Sequence, residues 1–379
     1  MPITIVNRHY PPNLGITGES AWDLAKYLIE KHQIEVHIVH INRSYDGGGQ
    51  MREPVGITHK INTIYEGKNK FLRFTAGPLD GLLLILKAIR LKKGTIICMT
   101  SPPLLPFWAS VLFSIFKRDW VLWSMDLFPE GFVSTGQIKE SNWIYRQIIR
   151  LTYRNAPKRL IALGPKQASF LETKYNKSIP QIILPCGVLL NQERDNAQPS
   201  WRKNDDKIYL GYAGNVGDAH SDDFLISIIK NINPNKHHLV LALYGTKAEN
   251  VLKFAKNRDG ITILKNIPRS QLHFIDIHLV SLLKTWTHVA VPSKAISSVC
   301  AGGSILFCGS SESDSWYLNQ SAGWLIDENS EIENQVKYFL EKITPEEVNT
   351  KRQNAEKVVI DLNNYLLNAY EEIARMSQD

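Results

Sequence analysis

Three short segments contain the residues best suited to hold a phosphate group. YPPNLGITGES, residues 10–20, follows the apolar run 3–6, and GYAGNVGDAH, residues 211–220, overlaps the apolar run 208–212. Glycine lets a backbone approach a ligand closely, and the free N–H groups at the start of the following helix suit an anion. Neither segment is a GxGxxG motif, so an ordinary strand-to-helix turn explains each one equally well. Together the two turns predict one anion site.

The third segment is HVAVPSKAISSVCAGG, residues 288–303, in which Pro292, Ser293 and Lys294 stand at a predicted helix start. Serine is a natural N-cap, and the lysine adds a cation where helix amides already favour phosphate. The alternative is a solvated lysine at a helix end. The glycine pair and the apolar run behind it favour a ligand site.

Short apolar runs alternate with amphipathic stretches along most of the chain, which predicts parallel strands joined by crossover helices. We expect an α/β protein with two Rossmann-like domains whose parallel sheets face a central cleft. The predicted boundaries are 1–188 for the N-terminal domain, 189–206 for a polar linker and 207–344 for the C-terminal domain. A last helix, 345–374, would return toward the N-terminal domain. Ligands are expected at the carboxyl ends of the strands.

Composition excludes several classes of protein. Lys plus Arg exceed Asp plus Glu by 44 to 37, but the cations are spread out, which argues against nucleic-acid binding. The four cysteines and the histidines show no metal-ligand spacing, so we expect no metal. The sequence has no apolar run that approaches the roughly 18 residues needed to span a bilayer. The predicted location is the cytoplasm, and any attachment to the inner face of the cell membrane would be peripheral.

The order and spacing of several segments resemble a known family, the GT-B glycosyltransferases of the retaining group 4-like branch. The segments are HYPPNLGITG, TSPPLLPFWAS, WSMDLFPEGFVSTG, GYAGNVGDAH, IHLVSLL, VPSK and SAGWLID. The resemblance covers nearly the whole chain. It implies a hexosyltransferase whose C-terminal domain binds a UDP- or GDP-linked sugar, without a cofactor, and whose N-terminal domain binds the acceptor. The acceptor would be a sugar, a lipid-linked sugar or a small molecule, as in polysaccharide biosynthesis.

The resemblance also implies roles for individual residues. Asp126 would face the acceptor as the catalytic acid or base, with Glu130 as the second candidate. The implied donor-binding residues are Gly15, Gly18, Gly214, Asn215, Gly245, Ser293, Lys294 and Ser297. Beside the resemblance, position in the sequence makes His9, Tyr10 and Tyr45 the candidate acceptor-binding residues, since the first two adjoin the first glycine loop and Tyr45 lies in the glycine-rich stretch 42–54. If the acceptor is lipid-linked, Trp108, Phe113 and Phe116 with Lys117 and Arg118 would face the membrane.

Two positions differ from the family pattern. Asp218 stands where relatives carry an arginine near the diphosphate, and Ser297 stands where many carry the acid that holds the donor ribose. Two alternatives therefore remain beside the transferase. One is a non-catalytic partner protein that kept the fold but lost the donor site, and the other is a nucleotide-sugar epimerase.

Overall fold

The computed structural model describes residues 1–13, 15–42, 51–65, 70–91, 94–189, 194–329 and 331–378. The chain divides into two compact units, one comprising Met1–Leu184 with Tyr365–Asp379, the other Pro185–Asn364. Each unit is built around one parallel sheet covered by helices. The predicted α/β class is confirmed.

The first unit contains a sheet of seven strands in the order β3-β2-β1-β4-β5-β6-β7. Its elements in chain order are β1 Ile3–Val6, α1 Ile16–His32, β2 Val36–Asn42, β3 Ile57–Asn62, α2 Lys70–Arg90, β4 Thr95–Cys98, α3 Leu105–Ile115, β5 Trp120–Trp123, α4 Glu130–Ser134, α5 Trp143–Thr152, β6 Arg159–Ala162, α6 Pro165–Tyr175 and β7 Gln181–Ile183. Strands β1, β2 and β4 are almost entirely buried, so their side chains form the centre of this core.

The second unit contains a sheet of six strands in the order β10-β9-β8-β11-β12-β13. Its elements are β8 Ile208–Asn215, α7 Asp222–Asn231, β9 His237–Tyr244, α8 Ala248–Ala255, β10 Ile261–Ile263, β11 Ile277–Ser281, α9 Ser293–Cys300, β12 Ser304–Gly309, α10 Asp314–Tyr317, β13 Gly323–Asp327, α11 Ile332–Lys342 and the part of α12 Pro345–Arg375 that precedes Tyr365. In both units the strand order turns back at the first strand, which places the loops after β1 and β8 where such folds bind ligands.

The last part of helix α12, from Tyr365, belongs to the first unit. The hydroxyl of Tyr27 donates to the Glu371 carboxylate at 2.5 Å, and the ring of Tyr27 lies 5.1 Å from that of Tyr370. Thr95 donates to the carbonyl of Met376, and the amine of Met1 donates to the carbonyl of Ser377. Residues from both ends of the chain therefore complete one unit.

Sequence patterns missed β3 and α2 and placed the turn after β8 too early. Helix α1 begins at Ile16, so Gly18 and Glu19 of the first glycine segment already lie within the helix. Strand β8 continues through Gly214 to Asn215, which pairs with Tyr244, so the turn predicted there begins later. Ser221, whose hydroxyl accepts from the Phe224 N–H, then caps α7. Among the described residues, no helix is long and apolar enough to cross a membrane.

Candidate functional site

Lys294 lies beside the carboxyl end of β8. Gly214 has φ +129°, and a Cβ placed on it would lie 3.5 Å from the Lys294 Nζ, in ordinary contact. Near its end, strand β8 therefore has a backbone conformation that residues other than glycine rarely adopt, and the lysine amine lies directly next to it. The structure brings together Gly214 and Lys294, two of the residues predicted to bind the donor.

The amine of Lys294 is buried and has no hydrogen-bond partner among the described residues. It lies 3.2 Å from the centroid of the Tyr212 ring. Burial lowers the pKa of this amine well below its ordinary value of 10.5, because a charged group loses its hydration there. A buried amine without a partner is costly, which indicates a place prepared for an anion.

The first turn of helix α9 contains Lys294, but the N-cap of this helix is not the predicted residue. Pro292 occupies the N-cap position and Ser293 is the first helical residue, so the predicted capping role of Ser293 is wrong. A Cβ on Gly187, where φ is +93°, would lie 2.6 Å from the Ser293 carbonyl oxygen. Ser297 donates to the Lys294 carbonyl at 3.3 Å. Both serines therefore lie in the same turn as Lys294.

Asn215 and Gly245 meet where β8 and β9 end. A Cβ on Gly245, at φ +107°, would overlap the Asn215 Oδ1. Only glycine leaves room for the amide at that point, so Gly245 supports Asn215 through packing. The side chain of Asn215 is exposed, which leaves it available to a ligand.

The loop after β8 is held by three polar contacts. Thr246 donates to the Asp218 carboxylate at 3.1 Å, and Lys247 Nζ donates to the His220 carbonyl at 2.6 Å. His220 Nδ1 lies 2.7 Å from the carbonyl oxygen of Ser281, and burial lowers the pKa of this histidine to about 4. Asp218 thus bonds to the neighbouring turn. Lys247, in the turn between β9 and α8, is a cation beside this loop that the sequence patterns did not identify, although it stands two residues after Gly245.

In the first unit, Gly15 and Gly18 hold the loop after β1 against α1. A Cβ on Gly18 would lie 3.0 Å from the backbone carbon of His9, and one on Gly15, at φ +148°, would lie 3.1 Å from the His9 side chain. Gly18, in the first turn of α1, therefore leaves room for the backbone of the loop after β1. Gly15 and His9 lie together at the carboxyl end of β1.

Two of the predicted acceptor-binding residues give different outcomes. Tyr10 is fully buried, and its hydroxyl donates to the Val55 carbonyl at 2.8 Å. Its side chain belongs to the core of the unit, so the predicted contact of Tyr10 with an acceptor is corrected. Tyr45 lies outside the described residues.

The two predicted catalytic carboxylates lie in different surroundings. Asp126, three residues after β5, has an exposed side chain, although neighbouring protein raises the pKa of its carboxyl to about 6 by displacing water. With a pKa of about 6, the carboxyl is expected to be mostly ionised at neutral pH. Glu130 is buried, and its Oε1 accepts from the Tyr153 hydroxyl at 2.5 Å. Burial raises the pKa of Glu130, so its predicted catalytic role is replaced by a place in the core.

The predicted membrane-facing group is also corrected. Phe113 is fully buried, and the indole of Trp108 donates to the Pro78 carbonyl at 2.7 Å. Of the three aromatic residues, only Phe116 is strongly exposed. Within the described parts of the chain, no group of three or more histidine, cysteine or acidic side chains could hold a metal ion.

No protein-family model matches the chain, and no curated protein matches its sequence. Solved structures match over its full length. A sucrose-phosphate synthase from Thermosynechococcus elongatus superposes with a TM-score of 0.72 at 12% identity, covering 99% of each chain. The chain has the GT-B glycosyltransferase fold.

Two further structures with this GT-B fold are similar along their whole length. WaaG, a glycosyltransferase involved in lipopolysaccharide biosynthesis, has a TM-score of 0.65 at 13% identity and covers 100% of this chain and 99% of its own. HepE from Anabaena, solved in complex with UDP and glucose, has a TM-score of 0.64 at 12% identity and covers 99% and 100%. At these identities the likeness establishes the GT-B fold, and the site residues of this chain carry the functional argument.

Proposed function

We propose that this protein transfers a sugar from a nucleotide-sugar donor to a hydroxyl group of an acceptor. The observation that carries the proposal is the buried, unpartnered amine of Lys294 beside Gly214 at the carboxyl end of β8. A diphosphate bound there would supply the negatively charged partner that the amine lacks. The GT-B fold supports the proposal, because HepE was solved with UDP and glucose and WaaG takes part in lipopolysaccharide biosynthesis.

Sugar transfer requires stabilisation of the departing diphosphate and a well-placed acceptor hydroxyl. Lys294 would supply positive charge to the leaving group, and Asn215 would add a side-chain hydrogen bond. On the first unit, Asp126 would orient or deprotonate the acceptor; His9 and Gly15 follow β1, a parallel strand of the same sheet. We propose transfer with retention and without a metal ion, since the leaving phosphate itself can accept the proton of the acceptor.

Calorimetric titration with UDP, GDP, ADP, CMP and dTDP and their common sugar conjugates tests the proposal. We expect one nucleotide to bind with a dissociation constant in the micromolar range, about −8 kcal/mol. That nucleotide would then name the donor for an acceptor search. Silence across the whole panel would refute the proposal and favour the non-catalytic partner. Turnover of the sugar conjugate without any acceptor would favour the epimerase.

We also propose that the first unit meets an anionic membrane surface, where a lipid-linked acceptor would be reached. At the start of α5, Trp143 and Ile144 are 72% and 59% exposed. Helix α5 also borders a groove of about 590 Å³ lined by Arg146, Arg150 and Lys174, with Glu140, Ser141, Tyr145 and Ile149. Indole rings favour the membrane interface, and arginine pairs well with lipid phosphate.

Sedimentation with vesicles of phosphatidylcholine containing one-third phosphatidylglycerol tests this surface. We expect the double variant Trp143→Gln, Ile144→Gln to bind at least about tenfold more weakly, since two apolar side chains no longer enter the bilayer. The matched control replaces Ile115 and Phe116, 66% and 51% exposed beside Lys117, with glutamine. An equal loss in the control, or equal binding to neutral vesicles, would contradict the proposal.

A further inference from the structure

Tyr212 contacts the amine of Lys294 with its ring and the β8 terminus with its hydroxyl. The Lys294 Nζ lies 3.2 Å from the ring centroid, and the Tyr212 hydroxyl donates to the carbonyl of Asn215 at 2.8 Å. One fully buried side chain therefore joins Lys294 and Asn215, which come from distant parts of the sequence. Sequence patterns gave it no role, because an aromatic residue inside a strand looks like core.

The ring of Tyr212 has little freedom to move. Its hydroxyl is fixed by Asn215, and the His220 ring stands edge-on to it, at 6.3 Å and 87°. His220 is itself fixed by the Ser281 carbonyl at 2.7 Å. The face that the ring presents to Lys294 is thus set by contacts that do not involve Lys294.

The contact has a direct electrostatic consequence. The face of an aromatic ring carries partial negative charge and attracts a cation within about 6 Å of its centroid. The Lys294 amine makes no hydrogen bond to any described residue, so the ring is its electrostatic support until an anion binds. Without the ring, the flexible lysine side chain would lose the contact that keeps its amine next to Gly214.

We propose that Tyr212 is a positioning residue for the diphosphate of the donor, acting through Lys294. The inference rests on the proposed function, because it assigns Tyr212 a task at the same site. Tyr212 does not touch the ligand. Its ring holds the amine where the phosphate is bound, and its hydroxyl fixes the end of β8 from which Asn215 projects.

The test compares Tyr212→Leu, which removes the ring, with Tyr212→Phe, which keeps it and removes only the hydroxyl. The probes are the nucleoside diphosphate that binds the unchanged protein, the matching nucleoside without phosphate, and inorganic pyrophosphate. We expect Tyr212→Leu to weaken diphosphate and pyrophosphate binding about tenfold and Tyr212→Phe less than about threefold. Nucleoside binding should stay within about twofold, whereas general damage to the fold would weaken all three probes.

A double-mutant cycle separates positioning from packing. In a Lys294→Met background, Tyr212→Leu should change diphosphate affinity less than about twofold, because the amine that the ring holds is gone. Equal losses in both backgrounds would overturn the inference. If Tyr212→Leu does not fold, the near-ultraviolet difference spectrum on adding pyrophosphate replaces it. A tyrosine band seen in the unchanged protein should be absent in both Tyr212→Phe and Lys294→Met, and its persistence in either would also overturn the inference.

Failure of this inference and failure of the proposed function give different results. If no nucleotide binds the unchanged protein, the proposed function fails. If a nucleotide binds and Tyr212→Leu retains full diphosphate affinity, only the role of Tyr212 fails.

Discussion

Lys294→Met is expected to weaken nucleoside diphosphate binding at least tenfold, about 1.4 kcal/mol, and to stabilise the ligand-free protein. The amine is buried without a partner, so removing its charge removes a desolvation cost on the order of 1 kcal/mol. The same change removes the charge that would meet the phosphates. Calorimetry measures the first effect and thermal unfolding the second.

The dependence on pH distinguishes this lysine from an ordinary one. Its pKa is lower in the folded protein than its ordinary value of 10.5, so the unfolded chain binds more protons between those two values. Stability of the unchanged protein should therefore rise with pH through that window, and Lys294→Met should lack this rise. Because the charged amine is the form that binds phosphate, affinity should fall as pH rises.

Lys284→Met serves as the control for both measurements. Lys284 lies in the same unit, but its amine is exposed and pairs with Asp327 at 3.2 Å. The Lys284→Met substitution should leave nucleotide affinity and stability nearly unchanged. If Lys294→Met binds the nucleotide as tightly as Lys284→Met does, Lys294 does not belong to the site.

Asp276→Ala is expected to lower the free energy of unfolding of the second unit by about 3 kcal/mol. Its carboxylate is buried and accepts from Arg352 at 2.8 Å, from Arg202 at 2.7 Å and from the Tyr209 N–H at 2.8 Å. The substitution leaves two guanidinium groups without their carboxylate. Arg352 lies in helix α12 and Arg202 in the segment before β8. The substitution should therefore weaken the attachment of both segments to the rest of the second unit.

Chemical unfolding measures this loss, and Asp259→Ala is the matched control. Asp259 is exposed in the same unit, so its removal should cost less than about 0.5 kcal/mol. A loss in Asp276→Ala no larger than that of the control would show that the network contributes little. Asp276→Asn should fall between the two, since it keeps the shape and loses the charge.

The fold was predictable because its strands are short apolar runs separated by helices. Strands β1 and β8 appear in the sequence as continuous apolar segments, and the α/β class expected from this alternation is confirmed, as is the GT-B fold that the family resemblance implied. Strand β3 was missed because its residues ITHKIN alternate between partly buried and exposed positions at the sheet edge, without an apolar run. Its partner β2 identifies it only through pairing in three dimensions.

The site was predictable only where residue type is informative by itself. A lysine in PSK next to a glycine turn led to Lys294, and glycines led to Gly214. Carboxylates and phenols are ambiguous, because Glu130 and Tyr10 are polar in the sequence yet lie inside, each hydrogen-bonded to one distant partner. Tyr212 has the opposite problem, since only its distance to Lys294 distinguishes it from core.

The first unit is built from two separate stretches of the chain, which determines how it can be produced on its own. A fragment that stops at Leu184 lacks the helical segment carrying Tyr370, Glu371 and Met376, and would expose the surfaces that these residues cover. Because the amine of Met1 bonds to the carbonyl of Ser377, the two chain ends are neighbours. A circular permutant that begins near Tyr365, joins residue 378 to Met1 by a short linker and ends at Leu184 would contain the whole unit in one continuous polypeptide.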